Sequence, residues 1–516
     1  MLLTSLIDSA KNQYGDYPFL YAGDRTFTLS ETEILSKKIS ILLRSHGICD
    51  GDRVMVNMPN CPEVIFSYQG ILRARNIVVP VMFLLHPSEI HFILNDSQAK
   101  AIFTSALILP KIIAAVQDLS YKPIIIVVDE VPNKEAYSNY DIIELCKEVT
   151  KIDANQEQLL PASEEDVAVI LYTSGTTGRP KGVMLSHRNL YSSAKTAYDT
   201  SNRGTLHSTS LGVLPLAHVF GFTVMNSAFL AGSSVVIFLK FDVDEVCAAI
   251  EKYKVRTFAA VPAMIHALVF SPATEKYDLS SLEYVSSGAS ALPISIIHAF
   301  RKKFNAEIKE GYGLSEAAPI VSSHAEGIEV RPGSVGVPIP GVEVRIIDEN
   351  GKDVEVGSVG ELLVKGDNVS PGYYQLEEIT KKTIQEGWLY TGDLVKMDED
   401  GYLYIVDRKN DLIIRGGFNI YPRDIEEIIA AHEAVSEVAV IGIPHEKFGE
   451  EIIACVVQKP NTVVSEEEII ALTQQKLAKY KTPKRVLFID ELPRNGVGKI
   501  LKRKLREIYA SANVTN

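Results

Sequence analysis

The sequence predicts an α/β fold: a large N-terminal domain of layered α/β subdomains that includes a β-rich subdomain, then a small α+β C-terminal domain. Three observations carry that prediction. Short β-branched apolar runs alternate with amphipathic stretches through about the first 300 residues, the signature of layered helices and strands. The texture shifts to hairpin-like alternation after about Gly333 and shifts again after Asp407. The chain has 516 residues, and one hydrophobic core stops growing at about 250–300 residues.

Taken in order, residues 30–43 repeat at helical spacing, with Ser30 and Glu33 placed as a capping box. Residues 123–128, 167–172 and 234–238 are near-continuous apolar runs, as expected of strands covered on both faces. Residues 211–239 contain no Asp, Glu, Lys or Arg and are long enough to span a bilayer. Pro215, His218, Asn226, Gly232, Ser233 and Ser234 interrupt them, so buried core is the preferred reading. Residues 342–347 alternate, Asn350-Gly351 supplies a turn, and residues 360–364 follow, giving antiparallel hairpins in a β-rich subdomain of about 333–407. Beyond it, residues 424–432 and 465–480 read as helices, the second opened by Ser465 and Glu468. Residues 438–443 and 452–457 read as strands. The expected domains are 1–409 and 410–516.

Composition narrows the function. The chain is 46% hydrophobic and 23% charged, which excludes collagen, disorder and a small disulfide scaffold. A net charge of −13 argues against a nucleic-acid binder, which needs a basic face. Residues 410–516 hold 15 basic and 15 acidic side chains, and within them residues 476–506 carry a local +9. Taken alone, that patch is a solvated helix face as readily as a binding surface. Five scattered cysteines without a CxxC pair read as reduced, mostly buried thiols of a cytoplasmic protein, and suggest no zinc site. The N-terminus reaches Asp8 without a basic stretch and is not a signal peptide.

The densest chemical signal is residues 172–183, Tyr-Thr-Ser-Gly-Thr-Thr-Gly-Arg-Pro-Lys-Gly-Val, directly after an apolar strand. Four hydroxyls, three glycines and Lys181 lie between Thr173 and Gly182. Hydroxyls, open backbone N–H groups and a point charge suit a polyphosphate. The spacing is not Walker A, because Gly182 follows Lys181 where Ser or Thr would stand. Pro180 disfavours a helix here, so a loop that moves over the phosphates is expected.

Residues 172–183 resemble the phosphate-loop signature of the adenylate-forming superfamily, which comprises acyl-CoA synthetases, peptide-synthetase adenylation domains and luciferases. Further motifs follow in that superfamily's order. Residues 311–319, Gly-Tyr-Gly-Leu-Ser-Glu-Ala-Ala-Pro, resemble its adenine motif, with Tyr312 offered as an exposed ring for stacking. Residues 286–290, Ser-Ser-Gly-Ala-Ser, resemble the opposite wall, with Ser287 where Gly is common. Tyr390-Thr-Gly-Asp393 resembles the ribose motif, and residues 407–422 resemble the crossover between domains. Pro493-Arg-Asn-Gly-Val-Gly-Lys499 resembles the motif of the catalytic lysine. The resemblance spans roughly residues 30–506.

The resemblance implies ATP, Mg²⁺ and CoA as cosubstrates and cofactor, and it implies the site residues. Thr173, Ser174, Gly175, Thr176, Thr177, Gly178 and Lys181 would hold the phosphates. Gly288, Ala289, Glu310, Gly311, Tyr312, Gly313 and Ser315 would hold the adenine and α-phosphate, Asp393 the ribose, and Arg408 the ribose or phosphates. Thr173 and Glu316 would be the metal ligands, and Lys499, Lys181 and Glu316 the catalytic groups. Asn410 would be the hinge of a mobile C-terminal domain, standing where Asp or Lys is usual. Gly416, Gly417 and Phe418 would line a tunnel for the CoA thiol arm. His218, Val219, Phe220 and Gly221 would border the acyl pocket. No acid follows Phe258 to meet an amino-acid ammonium, so an apolar carboxylate is expected.

The implied activity is ATP-dependent activation of a medium- or long-chain fatty acid to acyl-AMP and transfer to CoA. An acyl carrier protein is the alternative acceptor, and an inactive nucleotide-binding scaffold is the competing class. No nucleic-acid partner and no integral membrane segment are expected. Peripheral membrane contact and a homodimer are left open.

Overall fold

The structure, a computed structural model, describes residues 1–174, 180–200, 207–494 and 499–509. Gly175, Thr176, Thr177 and Gly178 therefore lie outside the described residues.

The apolar runs of the first 190 residues form an eight-stranded sheet. Its order is Gly372–Tyr373, Pro180–Ser186, Val167–Ser174, Ile77–Pro80, Arg53–Asn57, Ala101–Thr104, Ile124–Val127 and Ile142–Glu144. The last six of these run parallel. Successive side chains feed opposite cores. Val54, Val56, Val78, Phe103 and Ile126 pack with the helices Leu29–Ser45 and Pro62–Arg73. Met55, Val79, Ile102 and Ile125 pack with Pro87–Ser97 and Leu109–Val116. Burial on both faces is why these strands read as continuous apolar runs.

One detail shifts. The first long helix is capped by Thr28 and Glu31, which exchange the two capping-box bonds, two residues before the expected Ser30 and Glu33. Both pairs satisfy the same spacing. Glu33 instead takes Lys11 and Lys37 as partners.

Two further sheets complete the large unit's α/β part. Thr209–Gly212, Ser234–Ile237 and Pro18–Ala22 are parallel, with Arg25–Thr28 antiparallel at the edge. Thr257–Ala260, Tyr284–Ser287 and Glu307–Gly313 are parallel and continue through the antiparallel strands Ile320–Ser323 and Val337–Pro338. The uncharged stretch at 211–239 contributes strand, the 13-residue helix Val219–Ala231, and strand. No helix among the described residues is long and apolar enough to cross a membrane.

The β-rich texture is an antiparallel sheet of Val342–Ile347, Gly360–Gly366, Trp388–Met397 and Ile384–Gln385, with Leu403–Arg408 also paired to Trp388–Met397. The last sheet starts at Ile413–Arg415. In it Val435–His445 and Gly449–Gln458 form a long hairpin whose alternate residues again feed two cores. Ser465 caps Glu466–Lys476, which ends four residues before the expected Tyr480.

The cysteines depart from expectation. All five are free, but Cys49 and Cys146 are exposed and Cys61 is half-buried. Only Cys247 and Cys455 are buried. Turn positions such as Cys49 carry no periodic signal from which exposure could be read.

Candidate active site

The strand ends of the eight-stranded and five-stranded sheets, the β-rich sheet and the C-terminal unit border one cavity of about 1280 Å³. That volume exceeds the roughly 300–1,000 Å³ typical of a single small-ligand pocket.

At one end, Thr173 and Lys181 face each other across an antiparallel pair and both line the cavity. The Lys181 ammonium lies 5.3 Å from the Tyr373 ring centroid. The Tyr373 hydroxyl donates to Glu316 Oε1 at 2.8 Å, which holds that carboxylate at the cavity wall. Ser174 ends its strand.

Glu316 and Ser315 occupy a short 3₁₀ turn after Gly313. A Cβ on Gly313 would come within 1.7 Å of the Pro319 carbonyl oxygen, so only glycine fits this approach. Tyr312 is half-buried, not the exposed ring expected, because its hydroxyl donates to Asp393 Oδ2. Burial, then the Asp393 charge, raises the Tyr312 pKa well above its ordinary value. Asp393 also pairs with Arg408 Nε at 3.3 Å across a strand register that sets them opposite.

On the neighbouring strand's end, Gly288 lies under the Phe220 ring, and Ala289 has a φ of 72°. A left-handed non-glycine residue at a cavity wall is the kind of strain that gathers at functional sites. Gly311 and Glu310 also line the cavity. Glu310 commits its carboxylate to the N–H groups of Leu292 and Gly333, at 3.4 and 3.3 Å. Burial raises its pKa.

His218 caps the helix Val219–Ala231, its Nδ1 accepting from the Phe220 N–H at 3.3 Å. Burial, then the nearby Lys499 charge, lowers its pKa to about 4. His218, Val219, Phe220 and Gly221 all face the cavity. A Cβ on Gly221 would meet the Pro215 carbonyl oxygen at 2.3 Å, which explains the glycine one turn into the helix.

Lys499 enters from the C-terminal unit. Close to it in sequence, Arg494 pairs with Ile500 and the Leu501 N–H donates to the Pro493 carbonyl at 2.7 Å. Burial, then the Arg408 charge, lowers the Lys499 pKa to about 8, while Asp393, Asp411 and Glu316 act in the opposite sense. Asn410 lines the cavity beside Arg408 and has no left-handed backbone angle.

Gly416, Gly417 and Phe418 do not reach the cavity. The two glycines, at φ 59° and 83°, turn the hairpin between Ile413–Arg415 and Phe418–Ile420, as two-residue hairpins require. The Phe418 ring stacks on Tyr480 at 4.7 Å and remains exposed.

Sequence reasoning missed Tyr373, Arg256 and Lys309. Tyr373 comes from a two-residue strand with no motif around it. Lys309 was reachable, since in a strand it shares a face with Gly311. Its ammonium lies 4.1 Å from the Tyr284 ring centroid.

A family model described as AMP-binding enzyme matches residues 7–374, and one described as AMP-binding enzyme C-terminal domain matches residues 424–499. The chain belongs to the AMP-binding enzyme family. This AMP-binding enzyme is 35% identical over 529 residues to a long-chain-fatty-acid–CoA ligase of Bacillus subtilis (strain 168), covering 98% of this chain and 94% of that one. It is 34% identical over 511 residues to 4-coumarate–CoA ligase 1 of Solanum tuberosum, covering 96% and 91%. ATP-bound MatB from Rhodopseudomonas palustris is similar in structure, at 30% identity and a TM-score of 0.89 over 99% of this chain and all of that one. Apo MatB gives 0.79 at the same identity and coverage. The arrangement of this AMP-binding enzyme is thus nearer to the ATP-bound form.

Proposed function

We propose that this AMP-binding enzyme activates a fatty acid with ATP to acyl-AMP and transfers the acyl group to CoA. The observation that carries the reading is the meeting of Lys499, from the C-terminal unit, with Lys181, Glu316, Asp393, Arg408 and His218 in one cavity.

A carboxylate oxygen is a poor leaving group, and joining it to AMP makes a mixed anhydride that a thiol can attack. In the first step a carboxylate oxygen bonds to the α-phosphorus of ATP, the bond to the bridging oxygen breaks, and pyrophosphate leaves. The protein's part is positioning and charge neutralisation. Lys499 bridges the acyl carboxylate and α-phosphate, Lys181 and Thr173 hold the outer phosphates, and Asp393 with Arg408 holds the ribose.

Glu316 fits a Mg²⁺ ligand, because Mg²⁺ is bound by one or two carboxylates together with substrate phosphates and Glu316 is such a carboxylate at the cavity wall. With Thr173 it would hold the ion, which supplies neutralising charge to the phosphates.

We take the two units to be residues 1–409 and 410–516, with the turn at Asn410 as the pivot. Rotation there withdraws Lys499 and brings the Gly416-Gly417 turn to the thiol channel, so one mobile unit serves both half-reactions. In the second step the CoA thiol gives up its proton to solvent, its sulfur bonds to the acyl carbon, the bond from that carbon to the phosphate oxygen breaks, and AMP leaves.

Lys499→Ala tests the reading. Pyrophosphate release from ATP and a fatty acid should fall by about 100-fold or more, while thioester formation from supplied acyl-AMP persists. Unchanged pyrophosphate release would sink the role given to Lys499. A panel of acids run with CoA, with a carrier protein and with neither decides the acceptor.

A further inference from the structure

The helix Val219–Ala231 carries no charged residue, and its two faces meet different surroundings. Phe222 and Phe229 turn into the core, against Tyr68 at 5.2 Å and Phe19 at 4.6 Å. Phe220, Val224, Ser227 and Ala231 line the cavity. At about 100° per residue these four fall within about 60° of arc, so they form one wall along the helix. The Ser227 hydroxyl donates to the Val224 carbonyl at 2.8 Å, which turns its polar atom back to the helix and leaves the wall apolar.

The wall has a chemical direction. Its near end is His218 and Phe220, beside the Lys499 charge and Gly288. Its far end is Ala231, where Tyr14 from the helix Leu6–Tyr14 also lines the cavity. The Tyr14 hydroxyl donates to the Leu230 carbonyl at 2.6 Å. Its ring lies 2.8 Å from where a Cβ on Gly232 would stand. Glycine at that helix end admits the ring, and the ring closes the wall. Gln13, its exposed neighbour, also lines the cavity, so Tyr14 stands at the surface end.

From Phe220 to Ala231 the helix rises about 16 Å at roughly 1.5 Å per residue. An extended alkyl chain with C–C bonds of about 1.5 Å advances about 1.25 Å per carbon, so about 13 carbons fill that length.

We propose that Tyr14 is the far gate of the acyl channel and sets the longest chain accepted: chains of up to about 13 carbons end against its ring, and longer ones must displace it. The inference rests on the fatty-acid reading above.

The test measures kcat/KM by pyrophosphate release, with CoA and ATP saturating, for straight-chain acids from butanoate to stearate. It compares the full-length enzyme with Tyr14→Ala and Ala231→Phe. The readout is the palmitate-to-hexanoate ratio within each preparation, which does not depend on how much of a variant is folded. Tyr14→Ala should raise that ratio, and Ala231→Phe lower it, each by about tenfold or more, since a single methylene in an apolar pocket already discriminates about tenfold. Wild-type ratios in both variants would overturn the gate and leave the fatty-acid reading standing. A wild-type enzyme that turns over none of these acids would overturn both.

Discussion

The role proposed for Lys499 makes the acid–base behaviour of adenylation predictable. Burial and Arg408 bring its pKa from 10.5 to about 8, and that gap corresponds to about 3 kcal/mol by which the site disfavours the charged ammonium. The proposed bridging role needs the charged form, which prevails below about pH 8. As pH rises from 7 to 9 the charged fraction falls from about nine tenths to about one tenth, and it falls about tenfold for each further pH unit. An ordinary lysine would stay charged across that range. His218, with a pKa of about 4, is neutral throughout and adds no limb of its own.

The assay is kcat/KM for the fatty acid by pyrophosphate release between pH 6 and pH 10, with ATP subsaturating, so that the profile reports the free enzyme. The expected profile is flat to about pH 7.5 and then falls with unit slope. Lys499→Arg, whose residual activity depends on a side chain that does not titrate here, should lose the limb. A wild-type profile flat to pH 10, or an identical limb in Lys499→Arg, would refute the argument. Linkage supplies a check on stability. The folded pKa lies below the unfolded one, so the unfolded chain binds more protons between about pH 8 and pH 10.5 and stability should rise with pH across that window.

Asp393→Asn keeps the shape of the wall proposed for the ribose but removes the charge that accepts from Tyr312 and pairs with Arg408. The KM for ATP should rise about tenfold, the scale of one lost charge-assisted hydrogen bond, and an unchanged KM would count against a ribose role. Gly313→Ala forces a methyl group into the Pro319 carbonyl, displacing the turn that holds Ser315 and Glu316. The melting temperature should fall, and calorimetry should show ATP affinity reduced by about tenfold or more, since such overpacking costs about 1–3 kcal/mol.

The parts of this protein legible from sequence are those governed by short-range periodicity. Strands buried on both faces announce themselves as unbroken apolar runs, and Ser465 and Glu468 mark a helix start that the structure keeps. The capping box at the first long helix was ambiguous for a physical reason: Thr28 with Glu31 and Ser30 with Glu33 have the same spacing, and only tertiary partners for Glu33 select between them. The pairing of Thr173 with Lys181 was hidden because Pro180, read as a breaker, takes its place in a strand that crosses to Ser174. Tyr373 comes from a segment distant in sequence and too short to carry a pattern. Register across a sheet brings such groups together, and register is not written in the local sequence.

Charge around the cavity carries the substrate argument further than the absence of an acid after Phe258 could. The described acids lining it are Glu89, Glu310, Glu316, Glu361 and Asp393. Glu89 accepts from His86 N–H, Glu310 from two backbone N–H groups, and Glu361 pairs with Lys409. Glu316 and Asp393, at the end proposed for the nucleotide, accept from Tyr373 and Tyr312. The wall formed by the strands Thr257–Ala260, Tyr284–Ser287 and Glu307–Gly313, which carries Glu310, also brings cations: Arg256, just before the first strand, and Lys309. Arg256 is neutralised by Glu283 through two bonds. Lys309 lies over Tyr284, and burial lowers its pKa. An amino-acid ammonium entering this wall would meet no uncommitted carboxylate among the described residues, and burying it unpaired costs free energy in a low-dielectric site. An alkyl chain meets Phe220, Val224 and Ala231 and leaves its one charge, the carboxylate, beside Lys499. The same burial that drives the Lys499 pKa down is therefore offset when that carboxylate arrives, and substrate binding should itself restore the proton on which adenylation depends.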